Sequence, residues 1–312
     1  MIEKKKITRP VCVSGFLVLS LIATMPARAE LRVFTCEPEW AALAEELGGE
    51  QVEASAAVTG LQDMHYIQAR PSLIAQVRRA DLVICTGAEL EIGWLPLLLR
   101  QAGNARVQPG SSGFMAATDH AELLDVPAVV DRALGDIHPY GNPHIQTDPR
   151  NIARVAEALT ERMAELDPEN ADYYAERYAD FSTRWAAAIE RWTAQAAPLM
   201  GMPILTHHKS WVYMIDWLGL MEVGTLEPKP GVPPTTSHLA ELLERLQTED
   251  ARIIVRSSYQ NSRGSHWLAD RAGIMADVIP HTVGSVEGAD DLFGIFDVMI
   301  ARLLQMQLEM QN

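Results

Sequence analysis

Short, β-branched apolar runs alternate along this chain with stretches whose apolar residues recur every three or four positions. The runs at 31–36, 51–56 and 81–86, then 202–206, 252–257 and 276–280, predict strands. The periodic stretches at 37–48, 71–79, 236–248, 262–273 and 289–308 predict helices. Such alternation implies parallel sheets covered by helices on both faces, an α/β fold. "ELEIGWLPLLL" adds a packed helix, with Glu89 and Trp94 placed to border a cleft. The tryptophans and the 289–308 helix read as core, and no short-period repeat or low-complexity tract interrupts the pattern.

Between Asp148 and Ala197 the alternation stops and strand patterns vanish. "DPRNIARVAEALTERMAELDP" reads as one amphipathic helix. Asp148 is its N-cap and Pro149 its first helical residue. "DPENADYYAERYADFSTRWAAAIERWTAQAAP" reads as a second helix, free of Gly and Pro after Pro168 and about 40 Å long at ~1.5 Å per residue. A flexible linker would be rich in Gly and Ser. The expected organisation is therefore an N-terminal lobe at 30–166, a rigid linking helix at 167–198 and a C-terminal lobe at 199–312.

The first residues carry an address. Lys4, Lys5, Lys6 and Arg9 precede an apolar stretch from Val11 to Ala23, and Ala27-Arg28-Ala29 has the small-x-small form of a cleavage site. The apolar run is shorter than the ~20 residues of a membrane span. Residues 1–29 are expected to be a signal peptide, and the mature chain a soluble periplasmic protein starting at Glu30. Without this segment the chain keeps 21 basic and 40 acidic side chains, a formal charge of −19 against −15 for the whole. So acidic a chain argues against nucleic acid and suits a cationic cargo.

Cys36 and Cys85 remain after cleavage, each closing an apolar run. In an oxidising compartment they pair if those strands are neighbours; otherwise they are two buried thiols.

Histidine placement is the strongest chemical signal. His65 follows the second predicted strand, His207 and His208 follow "MPILT", and His281 follows "MADVIP". His144 stands in "GDIHPYGNPHIQTDP", a stretch of helix breakers just ahead of the helix at Asp148. In parallel α/β sheets, ligands bind beyond the carboxyl ends of the strands. Four separate segments thus deliver imidazoles to positions that one fold-assembled site can share. Imidazoles without thiolate suit a borderline cation, and tetrahedral N/O coordination is the habit of Zn(II). Adjacent His207 and His208 in extended backbone point to opposite sides, so at most one of them is expected to face the site.

Together, "QDMHYIQARPS", "ADLVICTGAELEIGWLPLLL", "GNPHIQTDP", "HHKSWVYMIDWLGL" and "EPKPGVPPTTSHLAELLERL" resemble the zinc/manganese ABC-transporter solute-binding proteins of the ZnuA-like family, over essentially the whole mature chain. The resemblance implies two α/β lobes joined by a long rigid helix, with metal in the cleft between them. It also implies a monomer that hands zinc to an inner-membrane ABC permease. Carried over by motif, the ligands are His65, His144 and His208, and His207 faces away, hydrogen-bonded within its lobe. His281 stands where the family commonly has a carboxylate, so the fourth partner is His281, a water or Asp63. Zinc-specific members often carry a long His/Asp-rich loop between the first two ligands; here that stretch has only His120 and His138. His138 is expected to be a solvated loop histidine, with a gate or transient ligand as the alternative. Glu227 and Lys229, in the stiff turn "EPKPGVPPT", are expected to stabilise the second lobe or touch a partner.

Two other classes can be weighed. A zinc hydrolase needs an open coordination position and a nearby base, and the chain has no HExxH helix and no GxSxG elbow. A surface protein using metal for stability alone would need an attachment signal that the sequence does not show. A zinc-binding transport protein, not an enzyme, is the expectation; a manganese-binding homologue is the alternative.

Overall fold

The computed structural model describes residues 1–2, 30–131, 133 and 135–310. The expected signal peptide falls on 3–29, outside the described residues, and no described helix is long and apolar enough to cross a membrane.

Two four-stranded parallel sheets organise the chain. The first contains β1 (Leu31–Thr35), β2 (Val52–Ala56), β3 (Leu82–Cys85) and β4 (Phe114–Ala116), in the order β2-β1-β3-β4. The second contains β5 (Pro203–Thr206), β6 (Met221–Thr225), β7 (Ile253–Arg256) and β8 (Met275–Val278), in the order β6-β5-β7-β8. Pairing is in parallel register throughout, for example Leu31 with Val52 and Ile204 with Ile253. Of the eight strands among the described residues, β4 and β6 escaped the hydrophobic pattern. Both are sheet edges. β4 has three residues, while β6 contains Gly224 and opens on an exposed Met221, so neither shows an unbroken apolar run.

Helices cover both sheets: α1 (Pro38–Gly48), α2 (Pro71–Arg79) and α3 (Leu95–Ala102) in the first lobe, then α6 (Val212–Leu218), α7 (Thr236–Arg245) and α8 (Ser262–Ala272) in the second. Between the lobes run α4 (Pro149–Leu166) and α5 (Ala171–Ala196), and the last helix, α9 (Leu292–Glu309), packs back on α5 and α1. Asp148 caps α4 as expected, accepting from the Arg150 N–H at 2.8 Å, and Pro149 opens the helix. The 26 residues of α5 span about 39 Å.

The rigidity expected of α5 has a further source. One apolar cluster takes in Trp40 and Leu43 of α1, Val155 of α4, Trp185 and Trp192 of α5, Trp211, and Phe296 of α9. The lobes therefore share a core as well as a helix. Six of the seven tryptophans are buried; Trp267 departs from the expectation, half-exposed on α8 with the Arg271 guanidinium 4.3 Å over its ring.

Cys36 and Cys85 form a disulfide, with Cα atoms 4.7 Å apart. β1 and β3 are hydrogen-bonded neighbours, which brings the two strand ends together.

Candidate metal centre

The site lies where the carboxyl ends of both sheets face each other, and polar bonds between the lobes close it. Tyr213 of α6 donates to the Asn142 carbonyl at 2.6 Å and accepts from the Leu124 N–H at 3.1 Å. Asn142 in turn donates to the Lys209 carbonyl at 2.7 Å. Ser258 donates to the Gly60 carbonyl at 2.6 Å. A Cβ at residue 60 would stand 2.5 Å from the Ser285 nitrogen, so only glycine permits that approach. Thr282 donates to the Glu39 carboxylate across the same boundary.

His65 sits in the loop between β2 and α2. Trp94 anchors that loop by donating to the Met64 carbonyl at 2.9 Å. Asp63 receives both the His65 N–H (3.0 Å) and the His65 Nδ1 (2.7 Å). Burial opposes the charge on Asp63, but its bonds to His65 prevail and hold it below the usual carboxylate range. His144 precedes a short 3-10 turn, Ile145–Thr147, and is only 2% exposed. Asn142 accepts its N–H at 3.0 Å, and Thr147 donates to its carbonyl at 3.0 Å. His208 lies just beyond β5 with Nδ1 2.7 Å from Glu227, whose same oxygen accepts the Gly231 N–H at 2.9 Å.

These three rings converge: one nitrogen of each lies within 4.8 Å of the other two. In a tetrahedral zinc site with Zn–N of ~2.0–2.1 Å, ligand nitrogens stand roughly 3.3 Å apart. The Nε2 atoms of His65 and His144 are buried with no hydrogen-bond partner, an expensive state unless an acceptor nitrogen is held for a cation. Asp63 and Glu227 engage Nδ1 on two of the rings, which fixes the tautomer with Nε2 free to bind metal. Burial, then the neighbouring His65, His208 and His138 rings, hold His144 well below the ordinary imidazole pKa, so it stays neutral as a ligand must.

The other sequence candidates fall differently. His281 is 2% exposed and stands outside the trio, packed edge-on against Tyr259 with ring centroids 5.2 Å apart. Both of its ring nitrogens are buried without partners, and burial lowers its pKa to about 4. Asp63 is engaged behind His65 on its Nδ1 side. His207, expected to be hydrogen-bonded away from the site, lines the same interlobe cavity as His208, and its Nδ1 has no partner. The strand ends at Thr206, so the alternation of side chains no longer applies to 207–208. His138 is a half-buried loop residue beside the trio: its ring centroid is 5.7 Å from that of His65 and 6.5 Å from that of His144, and burial lowers its pKa to about 4. His120 is exposed. Glu89 lines a cavity with His65 and His138.

Sequence reasoning missed the pairing of Glu227 with His208, 19 residues away, and three buried glutamates beneath the cleft. Glu37 and Glu91 share the N–H of Thr86 and bond to one another. Burial raises both pKa values. Glu39 is raised to about 7 by burial, against the hydrogen bond from Thr282. No local pattern marks these residues; Glu37 and Glu39 flank Pro38 at the start of an ordinary helix.

Two parallel-sheet lobes on a rigid helical connection, with imidazoles converging in the cleft, define a substrate-binding protein of a metal-ion transporter. The chain matches the ZnuA family, zinc-uptake complex component A periplasmic, over residues 33–306, and belongs to it. That family consists of substrate-binding components of metal ABC transporters, not enzymes. Among its relatives, the high-affinity zinc uptake system protein ZnuA of Paracoccus denitrificans (strain Pd 1222) is 25% identical over 263 residues, covering 73% of this chain and 77% of that one. The manganese ABC transporter substrate-binding lipoprotein PsaA of Streptococcus pneumoniae is 23% identical over 236 residues, 73% of each chain. A crystal structure of ZnuA superposes with a TM-score of 0.74 at 19% identity, covering 89% of this chain and 98% of that one. A Mn-bound mutant of the periplasmic metal-binding protein from candidatus liberibacter asiaticus gives 0.72 at 15%, covering 88% and 99%.

Proposed function

We propose that this protein is the periplasmic receptor of a zinc-uptake system, binding Zn(II) through His65, His144, His208 and His281 and delivering it as a monomer to an inner-membrane ABC permease. One observation carries the reading: three buried imidazoles converge with two of their Nε2 atoms unpartnered. A manganese site would be expected to use more carboxylate, whereas here the carboxylates Asp63 and Glu227 stand behind the imidazoles as hydrogen-bond partners. His281 supplies the fourth nitrogen from the turn after β8; both its ring nitrogens are unpartnered, and it lies near enough to Asp63 to feel that charge. The lobes divide at 30–166 and 199–312, with 167–198 as the link, and residues 1–29 direct export.

The test is calorimetric titration of apo protein with zinc, with manganese as competitor. His144→Ala and His208→Ala should each weaken zinc by at least ~100-fold while circular dichroism of the apo protein stays unchanged, since loss of one ligand to a site that depends on all of them exceeds the ~10–100-fold typical of an outer hydrogen-bond partner. Near-native affinity in both variants removes the proposed site; manganese outcompeting zinc removes the proposed cargo.

A further inference from the structure

Glu227 engages His208 from a turn, 227–232, that its own lobe holds at one end. Leu226 and Glu227 follow β6 and donate to the carbonyls of Thr206 and His207 at 2.8 and 3.1 Å. Pro228 and Pro230 stiffen the next residues and remove two N–H donors. Inside the turn, Gly231 donates to Glu227 Oε2 at 2.9 Å and Val232 donates to the Lys229 carbonyl at 3.0 Å.

Among the described residues, the hydrogen bonds that 228–231 make beyond the turn run to one place, the segment at 133–136 between β4 and α4. Asp136 donates its N–H to the Pro230 carbonyl at 2.8 Å. The Lys229 ammonium donates to the Ala133 carbonyl at 2.7 Å. Gly135 permits the approach: its φ is +96°, and a Cβ there would stand 2.5 Å from the Pro230 carbonyl oxygen. The same segment goes on to His138, whose ring lies beside that of His65. Asp136, His138, Lys229 and Pro230 line one cavity with His144 and His208, so the contact borders the imidazole site. A chain of contacts therefore runs from 135–136 through Pro230 and Gly231 to Glu227 Oε2, and from there to His208 Nδ1 at 2.7 Å.

We infer that Gly135 and Asp136 are positioning residues for the metal site: docked on the 228–231 turn, they hold Glu227 against His208 Nδ1 and so keep Nε2 as the free nitrogen. The partner of one ring nitrogen decides which nitrogen carries the proton. Parting the two segments would free the turn, withdraw the carboxylate and let the His208 proton move between the nitrogens. A ring protonated on Nε2 offers no lone pair there. Metal is thus held firmly while the segments touch and is loosened when they part. In its bearing on zinc, this inference rests on the reading of His65, His144 and His208 as a metal site.

The experiment reads the His208 tautomer in apo protein carrying isotope-labelled histidine, by long-range proton–nitrogen NMR at pH ~8, where an ordinary imidazole is neutral. The signal lost in His208→Gln assigns the ring. In the parent, His208 should show the Nδ1-protonated tautomer. Gly135→Ala should give a mixture of both tautomers. It should also weaken zinc about 3–10-fold in competition titration, short of the ~10–100-fold expected when a ligand's direct partner is removed. Lys229→Ala deletes the ammonium bond without backbone strain and should move both readouts the same way. A role through Glu227 requires that Glu227→Ala combined with Gly135→Ala bind zinc no more weakly than Glu227→Ala alone. Tautomer and affinity unchanged in both single variants overturn the inference, as does a double variant in which the two losses multiply. If the parent binds no zinc, the proposed cargo site falls, and the tautomer of the apo protein still decides the coupling.

Discussion

The proposed site uses a neutral ring, His281, where the resemblance implies a carboxylate. An all-imidazole shell leaves the +2 charge of zinc on the complex, and Asp63 and Glu227, bonded to His65 and His208, lie where they can balance it from behind the ligands. His281→Ala should lower zinc affinity at least ~10-fold. His281→Asp should restore much of it and shift preference toward manganese, a harder cation. Calorimetric competition between the two metals reads both effects, and an unchanged dissociation constant in His281→Ala would leave a three-histidine site. Glu39 gives a prediction about pH. Its folded pKa, about 7, lies above the ordinary 4.5, so between these values the folded state holds the proton more tightly than the unfolded chain. That contribution is fully present below pH ~4.5 and lost as pH rises through 7, at a cost of at most about 3 kcal/mol. Glu39→Gln should therefore gain stability over the parent at pH 8 and gain little at pH 4, as measured by urea unfolding. An equal effect at both pH values would mean that Glu39 is not held protonated.

Among the elements, the start of α4 couples local sequence to the site most directly. Asp148 caps the helix, forms a two-pronged ion pair with Arg150, and follows the turn that carries His144. The same guanidinium reaches Asp216 on α6 at 2.7 Å, tying the turn to the second lobe. Asp148→Ala should cost about 1–2 kcal/mol, the range for a lost N-cap. It should also weaken zinc binding by a smaller factor than His144→Ala, because the ring remains and only its support is loosened. Urea unfolding and zinc titration of one preparation check both. Full stability in this variant would show that Pro149 and packing hold the turn without the cap.

For the molecule as a whole, zinc should raise the melting temperature, because the site exists only in the folded chain. Protons compete for the same nitrogens. Burial holds His144 below the ordinary imidazole pKa of 6.5 and His281 at about 4, so both stay neutral at pH 7 and take protons only as pH falls through that window. The unfolded chain is protonated first, so depressed histidines also make the apo fold less stable as pH drops below ~6.5. Scanning calorimetry with and without zinc should show a large metal-induced rise at pH 7 that is lost on approach to pH 4. A rise equally large at pH 4 would indicate carboxylate ligands. The shared core, with Trp40, Trp185, Trp211 and Phe296 in one cluster, accounts for lobes held together rather than tethered.

Much of this was legible in the amino-acid order because it depends on period and local chemistry. The central strands are led by apolar residues, unbroken in β3, at 203–205 of β5 and at 253–255 of β7 and interrupted in β1 by Arg32, the cap at Asp148 is a two-residue signal, and the segments carrying His65, His144 and His208 each follow a strand or precede a helix. Edge strands β4 and β6 were not legible, since short or half-exposed strands lack a full hydrophobic run. Nor were the alternatives at Cys36 and Cys85 decided until β1 and β3 proved to be neighbours. Only the tertiary structure set Glu227 behind His208, brought His138 beside the trio, buried Glu39 against Thr282 and packed His281 against Tyr259 with both ring nitrogens unpartnered. Those are contacts between segments distant in sequence. Their distances follow from how two sheets pack around one core, and local patterns carry no record of that.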